Sequence, residues 1–131
     1  MRADPQSGSA ALHPVTGRWS NERGSTLTLV VNGNVLGGHY ATAVGNPDPK
    51  DAFAVHGIVA GHLLSFAVAW QGHDSLTAWT GRYEPDTDSI HTLWHLVRSH
   101  VTANDATGAK VRNAVDLWSA FTTQASVFRR T

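Results

Sequence analysis

Hydrophobic and polar residues alternate with a period of two along most of the chain. The alternating runs are short and are separated by clusters of Gly, Asn, Asp and Pro at spacings of roughly 8 to 12 residues, the pattern of an all-β sandwich or barrel. The pattern is clearest from Phe66 to Tyr83, where Phe66, Val68 and Trp70 share one face and, beyond QGHD, so do Ser75, Thr77, Trp79, Gly81 and Tyr83. This predicts a hairpin whose inward faces set indoles beside small hydroxyls, and buried hydroxyls need partners. A small, partly polar ligand would supply them. The same periodicity predicts strands over Arg18 to Asn21, Thr26 to Val31, Val35 to Ala43, Phe53 to Ala60, His62 to Trp70, Ile90 to Ser99 and Ser119 to Arg130. NGN at Asn32 to Asn34 predicts a tight hairpin turn of the positive-φ kind. GNPDPKDA, Gly45 to Ala52, is expected to be a long irregular connection of the kind that serves as a lid. Val101 to Asp116 reads as irregular, with a helical turn near Lys110 to Asp116. Eight antiparallel strands in sequence order predict an all-β fold, an eight-stranded up-and-down barrel with room for side chains or one small ligand.

The chain's 131 residues suit one domain with a real core. The expected division is a disordered tail over residues 1–16, rich in small, polar and Pro residues, and a barrel over residues 17–131. Ten Lys plus Arg balance ten Asp plus Glu, which gives no argument for a nucleic acid or an anionic membrane as partner. There is no Cys, so disulfides, thiolate catalysis and Cys-bound zinc are excluded. No apolar run of about 18 residues is present to span a membrane as a helix, and the first residues lack the apolar core of a signal peptide. Five Trp is the outlying count. Taken singly, such residues are core packing; clustered among hydroxyls, they suggest a stacking pocket or an interface.

Strand parity assigns to the inner faces Trp19, Asn21, Ser25, Tyr40, Thr42, Phe66, Val68, Trp70, Ser75, Thr77, Trp79, Trp94, Leu96 and Ser126, none of them charged. Only Tyr40 could serve as an acid or base, so the set suits a neutral, amphipathic ligand better than proton-transfer chemistry. His91 and His95 invite a metal reading. On a strand, however, positions four apart lie roughly 13 Å from each other, too far to share one ion, so no metal site is expected.

GRWSNERGSTLTL, GGHYATAVGN, FAVAW, SLTAWTGRY, IHTLWHLV and LWSAFTTQASVF resemble, in this order and at similar spacings, the strands of the avidin and streptavidin family of biotin-binding proteins. The resemblance implies a non-enzymatic protein without a cofactor that binds biotin with high affinity in the open end of the barrel. Asn21, Ser25 and Tyr40 match the groups that hydrogen-bond the ureido oxygen, and Thr42 a hydroxyl that accepts from one ureido N–H. Thr77 matches the hydroxyl directed at the ring sulfur, while Ser75 and the backbone of Asn46 match the groups at the tail carboxylate. Trp70, Trp79 and Trp94 match the aromatic walls, Val44 and the loop after it match the family's flexible lid, and Trp118 resembles an indole lent across a subunit interface. Self-association is therefore implied, a homotetramer by the family's usual arrangement and a homodimer as the alternative, and so is secretion.

One departure stands out. Ser126 occupies the position where better-known members have an Asp that accepts the second ureido N–H, and a neutral acceptor is expected to bind about 1 to 3 kcal/mol more weakly. Gln124, on the same parity, could substitute as an acceptor or obstruct the pocket. The alternative reading is thus the same barrel holding another small neutral ligand. Thr122, Thr123 and Gln124 in the last strand also predict a weaker tetramer than bulky apolar residues would give.

Overall fold

Alternation along the strands decides the architecture: each strand buries one face, and a sheet with one buried face closes on itself when the hydrogen-bond register allows. In the computed structural model, which describes residues 12–42, 52–104, 106–116 and 120–131, ten strands form. They are β1 (Gly17–Asn21), β2 (Thr26–Asn32), β3 (Val35–Ala41), β4 (Phe53–Ala60), β5 (Leu63–Trp70), β6 (Ser75–Glu84), β7 (Ser89–Arg98), β8 (His100–Asn104), β9 (Lys110–Ala114) and β10 (Phe121–Arg130). Eight of them close an antiparallel barrel in the order β1-β10-β7-β6-β5-β4-β3-β2, and β8 and β9 pair separately. The all-β, eight-stranded barrel expected from the alternation is what forms.

The parity of the Phe66 to Tyr83 hairpin is as predicted: Phe66 pairs with Trp79, Val68 with Thr77 and Trp70 with Ser75. The turn after β2 has one positive φ, Gly33 at 65°, ahead of Asn34. This single glycine at the first central position fits a type II′ turn, whose twist matches the flanking strands. The Val101 to Asp116 stretch departs from expectation. It is not irregular or helical but contains the β8–β9 hairpin, Val101 opposite Asn113 and Ala103 opposite Val111, with Gly108 turning at φ 85°. The barrel strands also end differently from the prediction, with β3 stopping at Ala41 and β10 starting at Phe121.

One end of the barrel is sealed. Val15 lies buried ahead of β1, and its carbonyl accepts the Trp19 indole N–H at 2.9 Å. The Tyr83 ring meets Trp19 edge-on at 6.1 Å, and its hydroxyl donates to Asp88 at 2.8 Å. Arg130 lies 4.2 Å above the Trp19 ring while its guanidinium bonds Asp88 (2.9 Å) and the carbonyls of Pro14 (2.6 Å) and Thr16 (2.9 Å). Packing thus reaches two residues ahead of Gly17. Leu27, Leu29, Leu36, Val55, Phe66, Val68, Ile90 and Phe128 fill the barrel between this plug and the opposite end.

Candidate functional site

The opposite end holds a cavity of about 280 Å³ lined by Asn21, Arg23, Ser25, Tyr40, Thr42, Trp70, Thr77, Trp79, Trp94 and Leu96. Its polar corner is built by the turn after β1. The Asn21 side-chain oxygen accepts from the backbone N–H groups of Arg23 and Ser25, both at 3.0 Å, an arrangement in which Asn closes its own turn. That fixes the amide so that its Nδ2 donates to the Tyr40 hydroxyl at 3.3 Å. The Ser25 hydroxyl bonds the same phenol. Burial pushes the Tyr40 phenol above its ordinary range, and the bonds from Ser25 and Asn21 only partly offset this, so it stays a protonated donor near neutrality. Three side chains able to donate hydrogen bonds, Asn21, Ser25 and Tyr40, therefore cluster at one corner and bond one another, a set of groups suited to a carbonyl-type oxygen.

Aromatic rings form the walls. Tyr40 lies against Trp79 (5.0 Å, tilted) and Trp70 (5.5 Å, edge-on), and Trp79 is backed by Phe66, stacked at 4.9 Å. Phe53 supports Trp70 at 4.9 Å, and the Trp70 N–H donates to the Thr77 hydroxyl at 2.7 Å. These indoles are held by neighbours, so the cavity is shaped before anything enters it.

Of the residues singled out in the sequence, Asn21, Ser25, Tyr40, Thr42, Trp70, Thr77, Trp79 and Trp94 come together on this cavity, while Ser75 and Ser126 do not line it. Val44, Asn46 and Trp118, with most of the Gly45 to Ala52 connection, lie outside the described residues. The expected uncharged lining requires a correction, since Arg23 enters the mouth from the β1–β2 turn, 5.8 Å over the Trp94 ring, and donates to the side-chain oxygen of Gln124. Gln124 is thereby an exposed partner of Arg23 rather than part of the lining. Glu22, also absent from the sequence reading, accepts from the Ser126 hydroxyl at 2.8 and 3.2 Å and from the Val127 backbone N–H at 2.9 Å. Burial acts to raise the Glu22 carboxyl, but the Val127 amide and the Ser126 hydroxyl outweigh it, and the group sits below its usual value. Both residues lie in a polar turn where parity gives no direction, which is why strand periodicity passes over them.

Among the described residues no three His, Asp or Glu side chains gather as metal ligands. His91 bonds Ser89 at 3.1 Å and His95 bonds Thr123 at 2.8 Å.

The model of the avidin family matches residues 9–121. Afifavidin from Afifella pfennigii is 34% identical over 90 residues, covering 63% of this chain and 57% of that protein. The match therefore spans little more than half of that relative's length. Among solved structures, a shwanavidin variant in complex with biotin shares 28% identity at a TM-score of 0.68, covering 89% of this chain and 97% of the other. A complex of short afifavidin with biotin shares 26% identity at a TM-score of 0.63, with 87% and 86% covered. A rhizavidin–biotin complex, 22% identical over 94% of this chain and 97% of its own at a TM-score of 0.68, has the same fold.

Proposed function

We propose that this chain, which belongs to the avidin family of non-catalytic biotin-binding proteins, binds biotin in the open end of its barrel. The observation that carries the reading is the convergence of Asn21 Nδ2 and the Ser25 hydroxyl on the Tyr40 hydroxyl, inside a cavity walled by Trp70, Trp79 and Trp94. A ureido oxygen has the partial charge and the lone pairs to engage all three groups, and the flat bicyclic ring suits the aromatic walls. Thr42 serves one ureido N–H. Thr77, already the acceptor for Trp70, keeps its own proton free for the ring sulfur.

Ser75, the Asn46 backbone, Val44 and Trp118 complete the reading at the tail carboxylate, the lid and a neighbouring subunit. Self-association fits the outer wall, where Leu63, Leu93 and Phe121 are each more than half exposed. A homotetramer is the expected assembly, a homodimer the alternative, and secretion follows from the family.

Thermal unfolding with and without excess biotin tests the reading. A ligand that binds only the folded state at about a thousand times its Kd adds about 4 kcal/mol, so a rise in Tm of ten degrees or more is expected. No shift would remove biotin as the ligand. That result would favour another small neutral molecule in the same cavity, the reading that a neutral Ser126 in the last strand supports.

A further inference from the structure

A carboxylate from the turn after β1, Glu22, bonds β10 beside the open end. β1 ends at Asn21, opposite Phe128, whereas β10 continues for seven residues toward Phe121, so the Val127 amide has no strand partner on that side. Glu22 accepts from this amide through Oε1. That single bond would suffice if the side chain only finished the sheet edge. Glu22 makes a second contact that edge repair does not need: its other oxygen, Oε2, accepts from the Ser126 hydroxyl at 2.8 Å.

Ser126 is 2% exposed and points to the inner side of β10. Its neighbours on that side are Gln124, paired with Trp94, and Phe128, paired with Asn21, and both Trp94 and Asn21 line the cavity. A hydroxyl has one proton and two lone pairs. With the proton directed at Glu22, Ser126 can only accept from anything else, and an oxygen donating to a carboxylate is a stronger acceptor than a lone hydroxyl.

Resting on the biotin reading, we propose that Glu22 is a positioning residue for the ligand: its carboxylate turns Ser126 into a fixed, charge-reinforced acceptor for the second ureido N–H. The charge needed at this corner stands one residue after Asn21 and acts through a serine. Arg23 has a different role, held across the mouth between Gln124 and the Trp94 ring.

The arrangement makes an unusual demand on substitutions. Ser126→Asp alone would set a second carboxylate against Glu22, and like charges at that distance repel. The double variant Glu22→Gln/Ser126→Asp removes the conflict and returns a carboxylate to the wall. The experiment measures Kd for biotin and for two cyclic carbamate analogues, each with one ureido N–H replaced by oxygen, on wild type, Glu22→Gln, Ser126→Ala, Ser126→Asp and the double variant. Wild type should prefer biotin over one of the two carbamates by about tenfold or more, the size of a hydrogen bond to a charged group. Glu22→Gln and Ser126→Ala should each lose most of that preference, Ser126→Asp should bind biotin more weakly than the double variant, and the double variant should regain the preference. Ser126→Ala keeps the Glu22 bond to Val127, so it tests the acceptor even where Glu22→Gln lowers Tm. An unchanged preference in both single variants would overturn the proposal and leave Glu22 as support for the edge of β10. Wild type that binds no biotin would overturn the biotin reading itself, and this inference with it.

Discussion

At the closed end of the barrel the Trp19 indole is wholly buried and its N–H is bonded to the Val15 carbonyl; at the open end Trp70 is half-buried and its N–H goes to the Thr77 hydroxyl. Both ends combine aromatic rings with a tyrosine and a carboxylate. At the closed end the ring faces are covered: Trp19 has Tyr83 at its edge and the Arg130 guanidinium above it, and Arg130 is in turn bonded to two backbone carbonyls and to Asp88. At the open end the rings of Tyr40, Trp70 and Trp79 touch one another but surround space, and the polar groups beside them bond each other only in part, Asn21 to Tyr40 at a long 3.3 Å. The difference separates two uses of the same chemistry. Rings with satisfied partners on every side hold the fold together, whereas rings around a cavity with donors aimed at one point are prepared for a ligand.

The comparison breaks most readily at Trp19. Trp19→Ala removes a fully buried indole, the ring under Arg130 and the partner of Val15, and should lower stability by about 3 to 5 kcal/mol. For a chain of this size that is a fall in Tm of about 10 to 20 °C. The loss should be of the same size with and without biotin, and calorimetry on both states reads it. A variant that kept its Tm but lost biotin would mean that the two ends are not separate.

Tyr40→Phe is the converse. The ring stays against Trp79 and Trp70, so its packing survives, but one of the three converging donors is gone. Biotin affinity should fall by about 1 to 3 kcal/mol, roughly 5- to 150-fold, because the ureido oxygen loses a partner in a desolvated corner. The Tm of the free protein should move by only a degree or two. Titration calorimetry beside a melting curve separates the outcomes, and an equal loss in both would make Tyr40 a structural residue.

The barrel was readable in the sequence because each strand buries one face and so carries its own record of which side is in. Phe66, Val68 and Trp70 face Trp79, Thr77 and Ser75 as alternation requires. The hydroxyls and indoles of the cavity were readable for the same reason. Glu22 and Arg23 were not, since a turn has no parity and an acidic and a basic residue in NERGS look like solvated punctuation. Their directions come from Asn21, whose side chain closes the turn, and from the mismatch between a short β1 and a long β10. The β8–β9 hairpin carries a weaker signal. Val101 and Ala103 stand two apart in the sequence and Val111 follows after Gly108, which provides the turn, but the polar residues between them read as a loop.

The smallest effect concerns the two carboxylates, one at each end. Asp88 is held below its ordinary value by its bonds from Arg130 and Tyr83, and Glu22 by the Val127 amide and the Ser126 hydroxyl against the opposing effect of burial. A carboxyl whose folded pKa lies below its unfolded one stabilises the fold above the unfolded value, near 4. That contribution fades as the pH falls through the folded pKa. Glu22 is exposed and the Asp88 side chain is about half exposed, so the fall in Tm from pH 5 to pH 3 should amount to a few degrees and shrink in high salt. Asp88→Asn and Glu22→Gln should each flatten part of that slope. Ligand affinity distinguishes the two ends. With biotin amide as the probe, whose tail does not titrate, acid should weaken binding in wild type and in Asp88→Asn alike, while Glu22→Gln should bind more weakly at pH 6 and change little on acidification. If Asp88→Asn removed the acid sensitivity instead, the closed end would be acting on the ligand through the length of the barrel, and the division between a sealed plug and a prepared cavity would fail.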